Sequence, residues 1–193
     1  LSLVERTCSH AYLLQQGCLV HEGLPRDVIA RYHETARIEA VPSGGRWGSG
    51  EIELMSVDFL GRDGRPAQSI CTRDPLIIRL TYRAHQRVER PVFGLAIHRD
   101  DGTHVTGPNT KTSGFEIRTV DGDGALDYEI ESLPLLPGRY LVSASAYDHD
   151  LAAAYDYRDR VKELLVAEGD TRERLGIMEL RARWHRAGVP LAS

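Results

Sequence analysis

A period of two in hydropathy, repeated segment after segment from residue 51 onward, constrains this chain more than any other feature. In "LIIRLTYR", Leu76, Ile78, Leu80 and Tyr82 fall on one side, and Arg79, Thr81 and Arg83 on the other. In "GRYLVSASAY", Tyr140, Val142 and Ala144 alternate with Ser143, Ser145 and Tyr147. "ALDYEIESL" sets Leu126, Tyr128 and Ile130 against Asp127, Glu129 and Glu131, and "PVFGLAIHR" aligns Phe93, Leu95 and Ile97 while turning His98 away. Side chains alternate across a strand, so this pattern means strands with one buried and one wet face. "EIELMSVDFL", "HVTG", "YRDRVKELLVAE" and "RLGIMELRARW" add further strands, and "DTRERLG" (170–176) reads as a loop or short helical turn before the last of them. Turns rich in Gly, Asp and Pro, such as "GRDG" and "DDGT", punctuate the series. The predicted fold class is mainly β, an antiparallel sandwich.

The first 39 residues are built differently. Leu1, Val4 and Cys8 stand at i, i+3 and i+7, the spacing of a helix face. "AYLLQQG" and "CLVHEG" read as two short strands, each closed by glycine. "LPRDVIARYHE" has Pro25 near a helix start, Asp27 in the first turn, and Val28, Ile29 and Tyr32 on one face. A helix–strand–strand–helix segment of this length cannot enclose a core alone. Residues 40–50, rich in Gly and Ser, read as an irregular, exposed linker. The expected organisation is therefore 1–39, a linker at 40–50, and a sandwich over 51–193. The linker glycines lack the Lys-Ser/Thr pair of a phosphate-cradling loop.

Composition removes several function classes. Of the 193 residues 41% are apolar, enough for a domain-sized core, and the net charge of −4 argues against a nucleic-acid partner. No run of about 18 apolar residues is present to span a membrane, and no signal segment opens the chain. Cys8, Cys18 and Cys71 are odd in number, at no metal-like spacing, and read as reduced, mostly packed thiols. In "YDHDLAAAYDY", the separations of Asp148, His149, Asp150 and Asp156 match no ion-binding loop. His98 and His104 flank the "RDDGT" turn. A two-residue turn would put them on opposite faces and a longer loop on the same face. Neither a nucleophile elbow nor a convincing acid pair for glycoside cleavage is evident, and no metal site is expected.

"AYLLQQG", "LVHEG" and "LPRDVIARY" resemble the end of an ABC-transporter ATPase domain. "GSGEIELMSVDF", "PVFGLAIHRDDGTHVTGPNT", "LPLLPGRYLVSASAYD" and the late Trp184 resemble the C-terminal extension of the polysaccharide-exporting branch of those ATPases, the Wzt type. The resemblance implies an immunoglobulin-like β-sandwich that binds O-antigen or a similar glycan, at its modified chain end in part of the family. It implies a cytoplasmic protein peripheral to the inner membrane, a transmembrane permease as partner through the ATPase domain, and a homodimer. Residues 1–39 would be the remnant of the nucleotide-binding domain. The ATPase motifs would lie upstream of Leu1, so this chain is expected to be no enzyme and to carry no cofactor, with ATP and Mg belonging to the full-length parent. The alternative is a structural module that dimerises the ATPases or docks a partner without touching glycan.

Sugar recognition sets aromatic rings against pyranose faces and places polar groups on the hydroxyls. The wet face of "GRYLVSASAYDHD" has this mixture in Ser143, Ser145, Tyr147 and Asp148. Arg79, Thr81 and His98 are further outward residues of the same character. These seven are the expected carbohydrate site, with the glycan lying across the face that carries Tyr147. The last strand, "IMELRARW", follows a long loop and is expected to reach a neighbouring subunit.

Overall fold

The computed structural model describes residues 7–15, 17–29, 31, 45–182 and 184. The chain divides into two compact units, 1–45 and 46–193. In the first, β1 (Ala11–Gln15) pairs antiparallel with β2 (Cys18–Gly23) around Gly17, whose φ of 82° suits a tight turn. Helical residues follow at 25–29, with Val28 buried. The helix expected over residues 1–10 lies mostly outside the described residues, as do Tyr32 and the linker up to residue 44. Tyr12, Leu14, Leu19 and Val20 are exposed on the hairpin. Cys8 and Cys18 are exposed and Cys71 is half-buried. The expectation of packed thiols fails for the first two, because β2 has no buried face to offer Cys18.

The second unit is an antiparallel β-sandwich. Its strands are β3 (Arg46–Trp47), β4 (Ile52–Leu60), β5 (Ser69–Cys71), β6 (Leu76–Glu89), β7 (Val92–Arg99), β8 (His104–Thr106), β9 (Thr119–Ile130), β10 (Gly138–Tyr147) and β11 (Ala154–Ala167). One sheet runs β3-β11-β10-β7-β8, with β5 parallel to the end of β11; the other runs β4-β6-β9. The inward residues predicted from the alternation do form the core. Leu76, Ile78 and Leu80 of one sheet meet Phe93, Ile97, Tyr140, Val142 and Ala144 of the other, all at most 5% exposed. The Tyr82 and Phe93 rings touch across the gap at 4.8 Å. Burial of one such apolar side chain is worth about 1.5–3 kcal/mol, and this interlocked set holds the sheets together.

Three readings change in three dimensions. Arg46 and Trp47, assigned to the linker, pair with Arg158 and Tyr157 as a short edge strand. The last strand, "IMELRARW", is no strand; a single bridge, Met178 to Leu135, and the Arg73–Glu179 ion pair fasten it. Tyr128, read as inward, is 37% exposed, because β9 is the edge of the small sheet and its side chains overhang the core.

Candidate functional site

The centre of the large sheet presents a patch of small residues. On the outer face of β10, Ser143 and Ser145 stand beside Ala96 and Gly94 of β7, and Tyr147 beside Val92. On the other flank Tyr157 of β11 pairs with Ser145, and Ala154 with Tyr147. The result is a hollow of about 160 Å³ with a floor of Gly94, Ala96, Ser143 and Ser145. Tyr147, Tyr157, Leu151, Pro108 and Asn109 form its walls. Gly94 leaves this space open: a Cβ there would lie 2.9 Å from Ser145 Oγ and 3.4 Å from the Asn109 Cβ. Tyr157 is braced from behind by Trp47, whose ring stacks on it at 4.2 Å and 17°. Burial raises the Tyr157 hydroxyl above the ordinary tyrosine range, so it remains a protonated donor at any physiological pH.

The structure brings Ser143, Ser145 and Tyr147 together, as the alternation implied, but gives them different work. Ser143 is 1% exposed although it faces outward. Opposite it β11 bulges: Arg158 pairs with Ala144 and Lys162 with Val142, leaving residues 159–161 over. Arg160 adopts a φ of 46° in that bulge. Ser143 Oγ fastens it by accepting the Arg160 N–H at 2.8 Å and donating to Asp159 Oδ1 at 3.1 Å. Ser145 and Tyr147 make no side-chain hydrogen bond with the described residues and are free to meet a ligand.

His98 lies further along β7, beyond the hollow's floor. The loop after it is long enough that His98 and His104 pair directly across β7 and β8, with their rings 5.0 Å apart. His98 Nδ1 is buried with no hydrogen-bond partner among the described residues. Its pKa is lowered, first by burial and then by His104 and Arg160, against an opposing pull from Asp159. A guanidinium beside two imidazoles is no place for a metal cation. Asp148 is occupied by the turn after β10, where its Oδ1 accepts the N–H groups of Ala152 and Ala153 at 2.8 and 3.1 Å. That turn carries Leu151 to the rim of the hollow.

Arg79 and Thr81 do not belong to this group. They lie on β6, in the other sheet, whose outer face is the opposite side of the sandwich. Arg79 forks onto Asp127 at 2.7 and 2.6 Å, and Thr81 Oγ1 meets Ser56 Oγ at 2.8 Å. Outward direction is legible from alternation, but sheet membership is decided by pairing. Gly94, Tyr157 and Trp47 were missed. Tyr155 and Tyr157 in "AYDYRD" carry the same period-two signal as β10, and Trp47 sits in a segment whose glycines suggested a linker.

A family model described as the Wzt C-terminal domain matches residues 44–180, which include every strand of the sandwich. Among solved structures, one titled "Crystal structure of the C-terminal domain of wzt" superposes with a TM-score of 0.67 at 17% identity, covering 75% of this chain and 89% of that one. At that identity the likeness speaks to the fold, and it is the same β-sandwich. No curated protein matches the chain. The family match spans well over half the sequence, and the chain belongs to the Wzt C-terminal domain family.

Proposed function

We propose that the sandwich is the glycan-binding module of an ABC exporter's ATPase subunit, and that it binds an O-antigen or similar cell-surface polysaccharide at its modified chain end. The family supplies the setting, a module working with an exporter and its transmembrane permease. The observation that carries the reading is the hollow on the large sheet. Its floor is made of the smallest residues, and its walls hold Tyr147, whose side chain makes no hydrogen bond among the described residues, and Tyr157, on which Trp47 stacks. Rings that combine an apolar face with a polar tip suit a pyranose, and an unpartnered serine hydroxyl suits its hydroxyl groups.

The hairpin and helix of residues 7–31 fit the end of a nucleotide-binding domain. Their exposed Tyr12, Leu14, Leu19 and Val20 would pack on the rest of that domain. On this reading the chain itself binds no ATP or magnesium and catalyses nothing. It sits in the cytoplasm against the inner membrane through the exporter; no described helix is long and apolar enough to cross a membrane. A homodimer belongs to the same proposal. The exposed Leu175, Leu180 and Trp184 near the end of the chain favour a contact with a second copy. If that contact were the module's whole purpose, the alternative of a dimerisation or docking unit would stand.

Calorimetry with the polysaccharide of the producing strain separates the two. The full chain should bind it, and Tyr147→Ala should weaken binding about 5- to 150-fold, the equivalent of ~1–3 kcal/mol for loss of one aromatic contact. No saturable heat with the parent chain would leave the dimerisation reading in its place.

A further inference from the structure

A second hollow opens on the other side of β7, at the edge of the core. Three strands face six, so the small sheet ends at β9 while the large one continues through β7 and β8. Residues 107–117 return across the gap and cover it only in part. What remains is a cleft of about 500 Å³ whose floor is Leu80, Phe93, Leu95 and Leu126. Its rim carries two exposed aromatics, Phe115 at 58% and Tyr128 at 37%.

The covering loop is firmly built. Leu95 N–H donates to the Pro108 carbonyl, Thr110 N–H to the Phe93 carbonyl, and Phe93 N–H to Thr110 Oγ1. Asn109 Oδ1 accepts the Thr112 N–H at 2.8 Å, and Phe115 N–H closes on the Thr110 carbonyl at 2.9 Å. Phe115 is therefore presented on a braced turn and would lose little freedom on binding. The polar groups at the rim are unspent. The Asn109 amide nitrogen, Ser113 Oγ and the Tyr128 hydroxyl have no hydrogen-bond partner among the described residues, while Arg79 and Asp127 satisfy one another beside them. A wholly apolar occupant would leave those neutral donors and acceptors unmatched. An occupant with ring faces and hydroxyl groups would match both kinds of lining.

Gly94, Leu95, Pro108 and Asn109 line both this cleft and the hollow on the outer face. The two are separated by one strand and one loop. We propose that the cleft is a second saccharide subsite, and that a single glycan chain passes over Pro108 and Asn109 from the Tyr147–Tyr157 hollow to the Phe115–Tyr128 rim. This rests on the glycan reading above and adds to it a requirement for length. The module should grip an oligosaccharide of several residues more tightly than the terminal sugar alone.

The test compares chain-end fragments of the producing strain's polysaccharide, a disaccharide and an oligosaccharide of two or more repeat units, by calorimetry on the full chain. The longer fragment should bind the parent about tenfold or more tightly, the scale of one aromatic contact. Phe115→Ala and Tyr128→Ala should remove that gain and leave disaccharide affinity unchanged, whereas Tyr147→Ala should weaken both fragments. Tyr128→Phe keeps the ring and loses only the hydroxyl, so it should retain part of the gain even if Tyr128→Ala perturbs the edge strand. A gain that persists in Phe115→Ala overturns the second subsite while leaving the first intact. So does a variant that alters self-association in sedimentation without changing glycan binding, which would make the cleft a contact between copies. A parent chain that binds neither fragment overturns the glycan reading as well.

Discussion

At the scale of single residues, the site depends on what is missing as much as on what is present. Gly94 is the floor of the hollow because it has no Cβ, and the first atom that a new Cβ would meet is the rotatable Ser145 hydroxyl. Gly94→Ala should therefore fold with nearly the parent melting temperature yet bind glycan more weakly, and calorimetry beside a thermal melt checks both halves. His98 makes a different prediction. Its folded pKa lies below the unfolded value of about 6.5, so the folded state takes up its proton less readily than the unfolded chain does. Stability from this group is undiminished above that value and falls as pH drops through it toward the lowered folded pKa. Urea midpoints measured from pH 7.5 downward should decline faster for the parent than for His98→Asn. Equal declines would show that His98 is not the group responsible.

At the scale of elements, β11 joins the two sheets through one buried carboxylate. Asp156, 4% exposed, accepts both Arg46 Nε and Nη2 at 2.9 and 2.8 Å and the Leu54 N–H at 2.7 Å. Arg158 adds donors to the Leu54 and Met55 carbonyls at 3.0 Å. So β3, β4 and β11 are tied at a point where, among the described residues, no ladder links β4 to the large sheet. Arg46→Ala would strand Asp156. The expected loss is about 3 kcal/mol, the low end for an uncompensated buried charge because Arg46 itself is partly in water, and urea unfolding measures it. It should also loosen Trp47 and, through it, the Tyr157 wall. The segment around Glu179 is held by a comparable pair. Arg73, at a φ of 76°, forks onto Glu179 and keeps that carboxyl below its usual range, with the hydrogen bond from Arg73 the leading cause. A depressed carboxylate stabilises above its unfolded pKa of about 4.3 and loses that contribution as pH falls through the folded value. Protection of the Leu136 and Glu179 amides, which donate to the Ile177 and Pro134 carbonyls, relative to their intrinsic exchange rates should fall below pH 4 before the core opens. Glu179→Gln should show the lower protection already at neutral pH.

At the scale of the whole molecule, three groups of exposed apolar side chains stand out among the described residues: on the hairpin, at the Phe115–Tyr128 rim, and on the segment with Leu175, Leu180 and Trp184. Each would find its own cover under the proposed function, respectively the remainder of an ATPase domain, a glycan and a second copy. Sedimentation equilibrium should find dimers at micromolar concentration, and truncation after residue 174 should return monomers. A parent that sediments as a monomer throughout would leave Leu175 and Trp184 without that partner. Calorimetry with ATP and magnesium should give no saturable heat. Micromolar binding would overturn the reading of residues 7–31 as a fragment without the phosphate-binding machinery.

Strands β4 and β6 to β11 and the direction of most of their side chains were legible in the sequence, whereas the three-residue β5 was not. Alternation reports the two faces of a strand locally, and burial of Ile78, Val142 or Phe93 follows from it directly. The end of the chain was not legible. "IMELRARW" alternates as well as any strand here, but strand formation needs a neighbouring edge, and the described chain offers Met178 only the single bridge to Leu135. The candidate site was legible by half. Ser145 and Tyr147 were identified because their own strand points them outward. Arg79 and Thr81 were grouped with them wrongly, because two outward residues share a surface only when their strands share a sheet. Pairing of β6 with β4 and β9, and of β10 with β7 and β11, is decided by contacts between segments far apart in the chain. The same long-range pairing brings Gly94, Tyr157 and Trp47 to one hollow and spends Ser143 on a bulge, since local periodicity sets which way a side chain points and only tertiary structure sets what it meets.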